Sequence, residues 1–187
     1  MSLSRSTYNP KLETAIVYIL DKRPLEIMRL AKFLYLSDYL FAKSFGKKKS
    51  MTGNYVREKY GPIPEYFYPT INFMVHSGTI RRDGNTMTLV KPVEAKASAS
   101  LDDQELACLD KIVRDFSDKD LNEVLKTAYA TEPMEKILED EVAMDVEKGL
   151  VGKEISFSDI ETHPLLDEEE IDTSFMDTPE FQANLQE

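Results

Sequence analysis

Behind Asn9-Pro10, the apolar residues Leu12, Ala15, Ile16, Ile19 and Leu20 recur at the spacing of one helical face. They predict a first helix in which the Asn side chain caps free N–H groups and Pro, at the first position, forfeits no hydrogen bond. Asp21-Lys-Arg-Pro24 interrupts the pattern. A second helix is predicted from about Pro24 to Phe45, with Ile27, Leu30, Ala31, Leu34 and Phe41 inward and Gly46 as its left-handed stop. Met51–Lys59 leans towards β structure around Tyr55 and Val56, and Gly61-Pro62-Ile63-Pro64 reads as a rigid turn. A third helix begins at Pro64 or, after a break, at Pro69, and presents Phe67, Ile71, Met74 and Val75 before stopping at Gly78. Asp83-Gly84-Asn85, between Thr79–Arg82 and Thr86–Val90, predicts a hairpin.

Lys91–Ala99 is small and polar and reads as a connector. Ser100-Leu-Asp-Asp103 resembles a helix cap, followed by an apolar face of Leu106, Leu109, Ile112, Val113 and Phe116. A fifth helix over about Lys119–Tyr129 presents Leu121, Val124, Leu125 and Ala128. A sixth, opened by Thr131-Glu-Pro-Met, presents Ile137, Leu138 and Val142 and stops at Gly149. No lasting periodicity follows Ser158. The expected fold is α+β, mainly α: about six helices with a small antiparallel β-hairpin, the first half in a winged-helix-like order. The expected domain covers residues 1–157, and 158–187 form an acidic tail, flexible or loosely docked.

Composition narrows the classes. At 187 residues and 42% hydrophobic content the chain has material for one well-buried domain. No apolar run reaches 18 residues and the amino end shows no secretory h-region, so a soluble, cytoplasmic protein away from membranes is expected. The net charge of -11 hides a gradient: residues 1–96 carry +8, residues 97–153 carry -8, and residues 154–187 contain 11 acids and no Lys or Arg. Such asymmetry fits a basic patch that meets an external anion, or a basic lobe that meets its own acidic lobe.

Catalytic chemistry is sparse. The only histidines, His76 and His163, stand far apart in sequence, and the lone Cys108 falls among helical core spacings with no basic neighbour. Gly46-Lys47 lacks the remainder of a phosphate loop. No enzyme, cofactor or metal is expected. The informative stretch is Leu30–Pro64. Asp38 falls one turn after Leu34 on the inward face and needs an N–H cluster or a cation such as Arg57 or Lys59. Lys59-Tyr60-Gly61-Pro62 sets a basic and an aromatic side chain on a stiff corner, suited to anchoring a partner or stapling the fold.

Leu30-Ala-Lys-Phe-Leu-Tyr-Leu-Ser-Asp38 and Met51-Thr52-Gly53…Tyr55…Tyr60-Gly61-Pro62-Ile63-Pro64 resemble the Panacea domain, the SocA-like antitoxin and phage-associated family. Leu101-Asp-Asp-Gln-Glu-Leu and Thr127–Pro133 are similar to its second half, so the resemblance spans about residues 10 to 150. Pro69 and the aromatic run Tyr66-Phe-Tyr68 depart from the pattern. The resemblance implies a non-enzymatic protein that binds a toxin encoded next to it and silences it, in one branch by delivery to a protease, with a protease or chaperone as further partner. The residues expected at the partner interface are Asp38, Tyr55, Lys59, Tyr60, Glu65 and Tyr66. The alternative is a winged-helix nucleic-acid-binding regulator using Lys47, Lys48, Lys49, Arg81 and Arg82, although the third helix has no Lys or Arg to read bases.

Overall fold

The computed structural model describes residues 9–46, 50–90, 101–144 and 149–160. The elements run α1 (Pro10–Lys22), β1 (Leu25–Glu26), α2 (Ile27–Phe45), β2 (Tyr55–Glu58), β3 (Gly61–Pro64), α3 (Phe67–His76), β4 (Ile80–Asp83), β5 (Thr86–Leu89), α4 (Asp103–Phe116), α5 (Leu121–Tyr129), α6 (Glu132–Ala143) and β6 (Glu154–Ile155). This is an α+β fold, mainly α, with two small antiparallel sheets of order β1-β5-β4 and β3-β2-β6.

Helix α1 starts as its sequence dictates: the Asn9 side chain accepts from the Lys11 and Leu12 amides with Pro10 at the first position. α2 starts later than expected. Leu25 and Glu26 are drawn into a two-residue strand that pairs with Met87 and Thr86, so the helix begins at Ile27 rather than Pro24. Gly46, at φ 63°, terminates it. The sequence suggested one apolar face for α2, but every residue from Leu30 to Ser44 is buried. The reason is its neighbours: α1, α4, α5, β1 and β3 surround it. A helix enclosed on all sides must satisfy its polar side chains internally.

The order α1-β1-α2-α3-β4-β5 with sheet order β1-β5-β4 is a winged-helix arrangement, in which the β4–β5 hairpin is the wing. The segment between α2 and α3 is longer than a helix-turn-helix turn and contributes the second sheet. Gly61–Pro64, expected as a turn, is instead an edge strand paired with β2 in the register Tyr55↔Pro64 and Glu58↔Gly61, and the reversal falls at Lys59-Tyr60. An edge position accommodates the missing N–H groups of Pro62 and Pro64. Pro69 breaks nothing, because α3 begins at Phe67 and the proline occupies its first turn, where the N–H would be free.

In the second half, α4 and α5 open with capping boxes: Asp102 pairs with Glu105, and Asp120 with Glu123. The α4 cap is thus Asp102 rather than Ser100, which lies outside the described residues. Val142 was expected inward on α6 and is 82% exposed, since the core there is completed by Met134 and Ile137. β6, which no periodicity announced, adds to β2 through Tyr55↔Ile155 and Val56↔Glu154, and Phe157 and Ile160 after it join the core. The Lys91–Ala99 connector and nearly all of the acidic tail lie outside the described residues.

Gly61 shows how tight the β2–β3 corner is. Its φ is 88°, and a Cβ there would stand 3.2 Å from the Tyr129 ring and 3.5 Å from Lys32 Cε. Gly61→Ala is therefore expected to destabilise the protein by about 1–3 kcal/mol, from backbone strain and crowding together. Urea unfolding of the purified variant would measure it, and an unchanged midpoint would contradict the stated packing.

Candidate functional site

Helix α2 carries Lys32, Tyr35 and Asp38 at successive steps of three, and each ties the helix to a different part of the chain. Lys32 Nζ donates to the Pro62 carbonyl at 2.8 Å, anchoring β3. The Tyr35 hydroxyl pairs with Thr131 Oγ1 at 2.6 Å, and Thr131 Oγ1 in turn donates to the Ala128 carbonyl, at the α5–α6 junction. Asp38 is 0% exposed and accepts four hydrogen bonds: from the Met51 amide at 2.5 Å, the Thr52 amide at 3.2 Å, Thr52 Oγ1 at 2.5 Å and the Tyr55 hydroxyl at 2.7 Å. Farther along α2, Lys43 and the Tyr39 hydroxyl both donate to Glu132.

The partner of Asp38 is thus the cluster of amides and hydroxyls rather than Arg57 or Lys59. Arg57 is buried elsewhere, 3.0 Å from Glu141 with its guanidinium over the Tyr129 ring, and Lys59 lies exposed above the Tyr60 ring. Gly53 completes the loop that feeds Asp38. At φ 108° its Cα faces Asn9 Nδ2, which would stand 2.9 Å from an added Cβ, and that same nitrogen donates to the Thr52 carbonyl. Tyr35, Tyr55 and Phe157 enclose the cluster, with ring centroids 5.2–5.7 Å apart.

Burial dominates the electrostatics. It pushes the Asp38 carboxyl up to about 6 against four hydrogen bonds that favour the ionised form. It also pulls the Lys32 ammonium down to about 7, helped by the nearby Arg57 charge and opposed by Glu58. Burial raises Glu141 too, but its hydrogen bonds from Arg57 and the Leu150 amide prevail, and the carboxyl lies below its ordinary range.

The six residues expected at the interface separate into two sets. Asp38 and Tyr55 lie in the core, so in this conformation they cannot touch a partner; they hold the corner from beneath. Lys59, Tyr60 and Glu65 are exposed and Tyr66 is half-buried, all on or just after the β2–β3 hairpin. Of the nucleic-acid set, Arg81 and Arg82 are exposed on the wing, whereas Lys47, Lys48 and Lys49 lie outside the described residues.

Sequence reasoning missed most of the α3 surface. Tyr68, Pro69, Asn72, Phe73, Val75 and His76 are exposed, and none is a Lys, Arg, Asp or Glu. Of the expected inward pair, Met74 is fully buried, whereas Val75, one residue later, turns outward. Tyr60, Tyr68 and Phe73 are 55%, 44% and 43% exposed. Burial first, and then the nearby Glu58 charge, raises the Tyr68 hydroxyl, while Arg82 lowers it. Tyr68 therefore stands within electrostatic reach of both the corner hairpin and the wing. The signal available beforehand was the aromatic run Tyr66-Phe-Tyr68 in a helix with too many apolar residues for one inward face.

No cluster of three or more His, Cys, Asp and Glu side chains suited to a metal occurs among the described residues. A cleft of about 380 Å³ lies between α6 and the β6 segment, lined by Pro133, Ile137 and Ile160. Two ion pairs lie in its lining, Lys136 with Asp159 and Lys153 with Asp140. No described helix is long and apolar enough to cross a membrane.

Asp38→Ala leaves four buried donors facing a void, although the Thr52 and Tyr55 hydroxyls still meet at 2.8 Å. A loss of about 3 kcal/mol or more is expected by chemical denaturation, with Asp38→Asn retaining part of it. Lys32 gives a signed pH dependence. Its folded pKa of about 7 lies below the unfolded 10.5, so between these values the unfolded chain binds more protons and stability rises with pH. The slope contributed approaches about 1.4 kcal/mol per pH unit. Lys32→Met should flatten the unfolding free energy across that window, and a slope equal to the parent's would refute the buried-ammonium account. Comparison with protein-family models, with curated proteins and with solved structures finds no match for this chain.

Proposed function

We propose that this chain is a non-enzymatic, antitoxin-like protein that binds and neutralises a partner protein encoded beside it. The observation that carries the reading is the exposed, largely apolar face of α3, together with Tyr60, exposed on a corner that is stapled from below. Exposed aromatic side chains on a rigid support lose little conformational freedom on binding, and they dominate protein–protein interfaces. The Panacea-like motif agrees with this division of labour: its inward residues Lys32, Tyr35 and Asp38 rigidify the scaffold, and the outward residues next to it remain available. Neutralisation proceeds by masking the partner or by presenting it to a protease.

A second reading rests on the winged-helix sheet order and on Arg81 and Arg82 at the wing. Here the chain is a nucleic-acid-binding regulator whose basic first half, Lys47–Lys49 included, neutralises phosphates. The face of α3 argues against it, because the helix that would enter a groove offers Asn72 and His76 but no Lys or Arg.

Co-expression tests the first reading. The small reading frame adjacent to the gene should arrest growth alone and be tolerated together with this protein. Tyr68→Ala combined with Phe73→Ala should weaken the purified complex by about 2–4 kcal/mol, a loss of roughly thirtyfold to a thousandfold in affinity, without lowering the melting temperature. A neighbour that is harmless, or that stays lethal beside this protein, would sink the proposal. A steeply salt-dependent mobility shift with duplex DNA would favour the regulator instead.

A further inference from the structure

The cleft beside α6 is a groove with one helical wall and one strand wall. Glu132, Lys136 and Asp140 stand one turn apart along α6, opposite Lys153, Glu154 and Asp159 of the segment around β6. Its floor is apolar, made of the buried Pro133, Ile137 and Ile160. Both ion pairs cross from wall to wall, so the two lysines already have carboxylate partners and offer little to an anion. Glu154 is exposed and has no cation beside it among the described residues. Helix α6 holds five acids and one lysine. Lys43 and Arg57 answer two of those acids, Glu132 and Glu141, and the balance at the groove remains negative.

The strand wall is an open edge. β6 is the outermost strand of its sheet and pairs with β2 alone. Ile155 stands opposite Tyr55, and the Arg57 amide donates to the Lys153 carbonyl. Main-chain groups of successive residues in such a ladder point to alternate sides. Those of Glu154 therefore point away from β2, and no described strand takes them. The dimensions suit a short strand: Glu132 to Asp140 covers about 12 Å of helix, the length of about four extended residues. An edge amide and carbonyl ask for extended main chain, the floor asks for apolar side chains, and Glu154 asks for a cation. One strand meets all three demands, because its side chains alternate. A residue beside Glu154 shares the outward face with it, and the next turns to the face on which Ile155 enters the core with Ile137 and Ile160.

We propose that the α6–β6 groove binds an extended peptide segment of another protein, in which basic residues alternate with apolar ones, and that this segment joins the sheet as a strand beside β6. Main-chain bonds to the open edge supply affinity, and Glu154 and the floor supply selectivity. The site is separate from the α3 face. β6 and β3 are opposite edges of one sheet, and it is β3 that leads into α3.

The test titrates the isotope-labelled full chain with the peptide acetyl-Val-Lys-Val-Lys-Val-amide and follows amide chemical shifts. Shifts should concentrate on residues 132–140 and 153–156. The counterpart with Glu in place of Lys should bind about fivefold to tenfold more weakly, the size of a surface charge pair made or reversed. Glu154→Lys, at an exposed position, should exchange the two preferences, and its otherwise unchanged amide spectrum would show that it folds. Two analogues N-methylated on alternate residues separate strand addition from loose adhesion, because only one set of peptide N–H groups faces β6. One analogue should lose binding and the other keep it. The proposal is overturned if millimolar peptide moves no amide of the groove, or if the shifts fall on α3 or the wing instead. It is equally overturned if the acidic peptide binds as well as the basic one, or if both methylated analogues bind like the parent. Butylamine that moves the same amides as strongly as the peptide would make the groove an amine pocket and would also overturn it. Each of these failures leaves the α3 reading intact, since that reading is decided by the Tyr68/Phe73 measurement.

Discussion

A carboxylate enclosed in the core, with four donors converging on it, organises the rest of this structure. Asp38 can be buried in α2 only because Met51, Thr52 and Tyr55 bring two amides and two hydroxyls to it. Those donors are close together in sequence, so satisfying the charge also fixes the loop after α2, the start of β2 and the direction of the following hairpin. Lys32 repeats the device one edge farther on, holding the Pro62 carbonyl. Desolvation opposes both contacts, and this makes them specific rather than merely stabilising: a hairpin shifted by one residue would leave an ionised group buried with no partner.

The consequence for function is a separation between support and surface. Lys32, Tyr35 and Asp38 of the Leu30–Asp38 motif are consumed by internal bonds, as are Tyr55 and Arg57, whereas the buried Ser37 hydroxyl has no hydrogen-bond partner among the described residues. What they support faces outward: Lys59 and Tyr60 at the hairpin reversal, then the uncharged side of α3 and the arginines of the wing. The proposed binding face owes its rigidity to this arrangement. A short hairpin alone is marginal in water, but β2–β3 is held by α2 below, by Tyr129 against Gly61 and by β6 along its other edge.

Much of the element order was legible beforehand because local chemistry decides it. Asn9-Pro10, Gly46 and the Gly84 turn behave as their side chains require, and the apolar spacing of α4 and α5 places Leu109, Ile112 and Val124 in the core. Expectations fell short where a distant segment intervened. Leu25–Glu26 became a strand because β5 was alongside, and Gly61–Pro64 became one because β2 was. The orientation of Val75 and Val142 was misjudged for a related reason. Their spacing suits an inward face, but neighbouring residues already fill the space.

The sequence by itself determined the inventory: six helices, a need for donors around Asp38, a stiff Gly-Pro corner, and a charge gradient from a basic first half to an acidic end. Each of these follows from backbone preference, desolvation or simple summation, which act without regard to what lies opposite. The tertiary structure alone decided that the Asp38 donors are amides and hydroxyls, that Arg57 belongs to Glu141, that α2 is enclosed on every side, and that α3 turns aromatic residues to the surface. These are questions of which group stands next to which across tens of residues. Periodicity cannot answer them, because a helical wheel shows which side chains share a face but not which faces are covered.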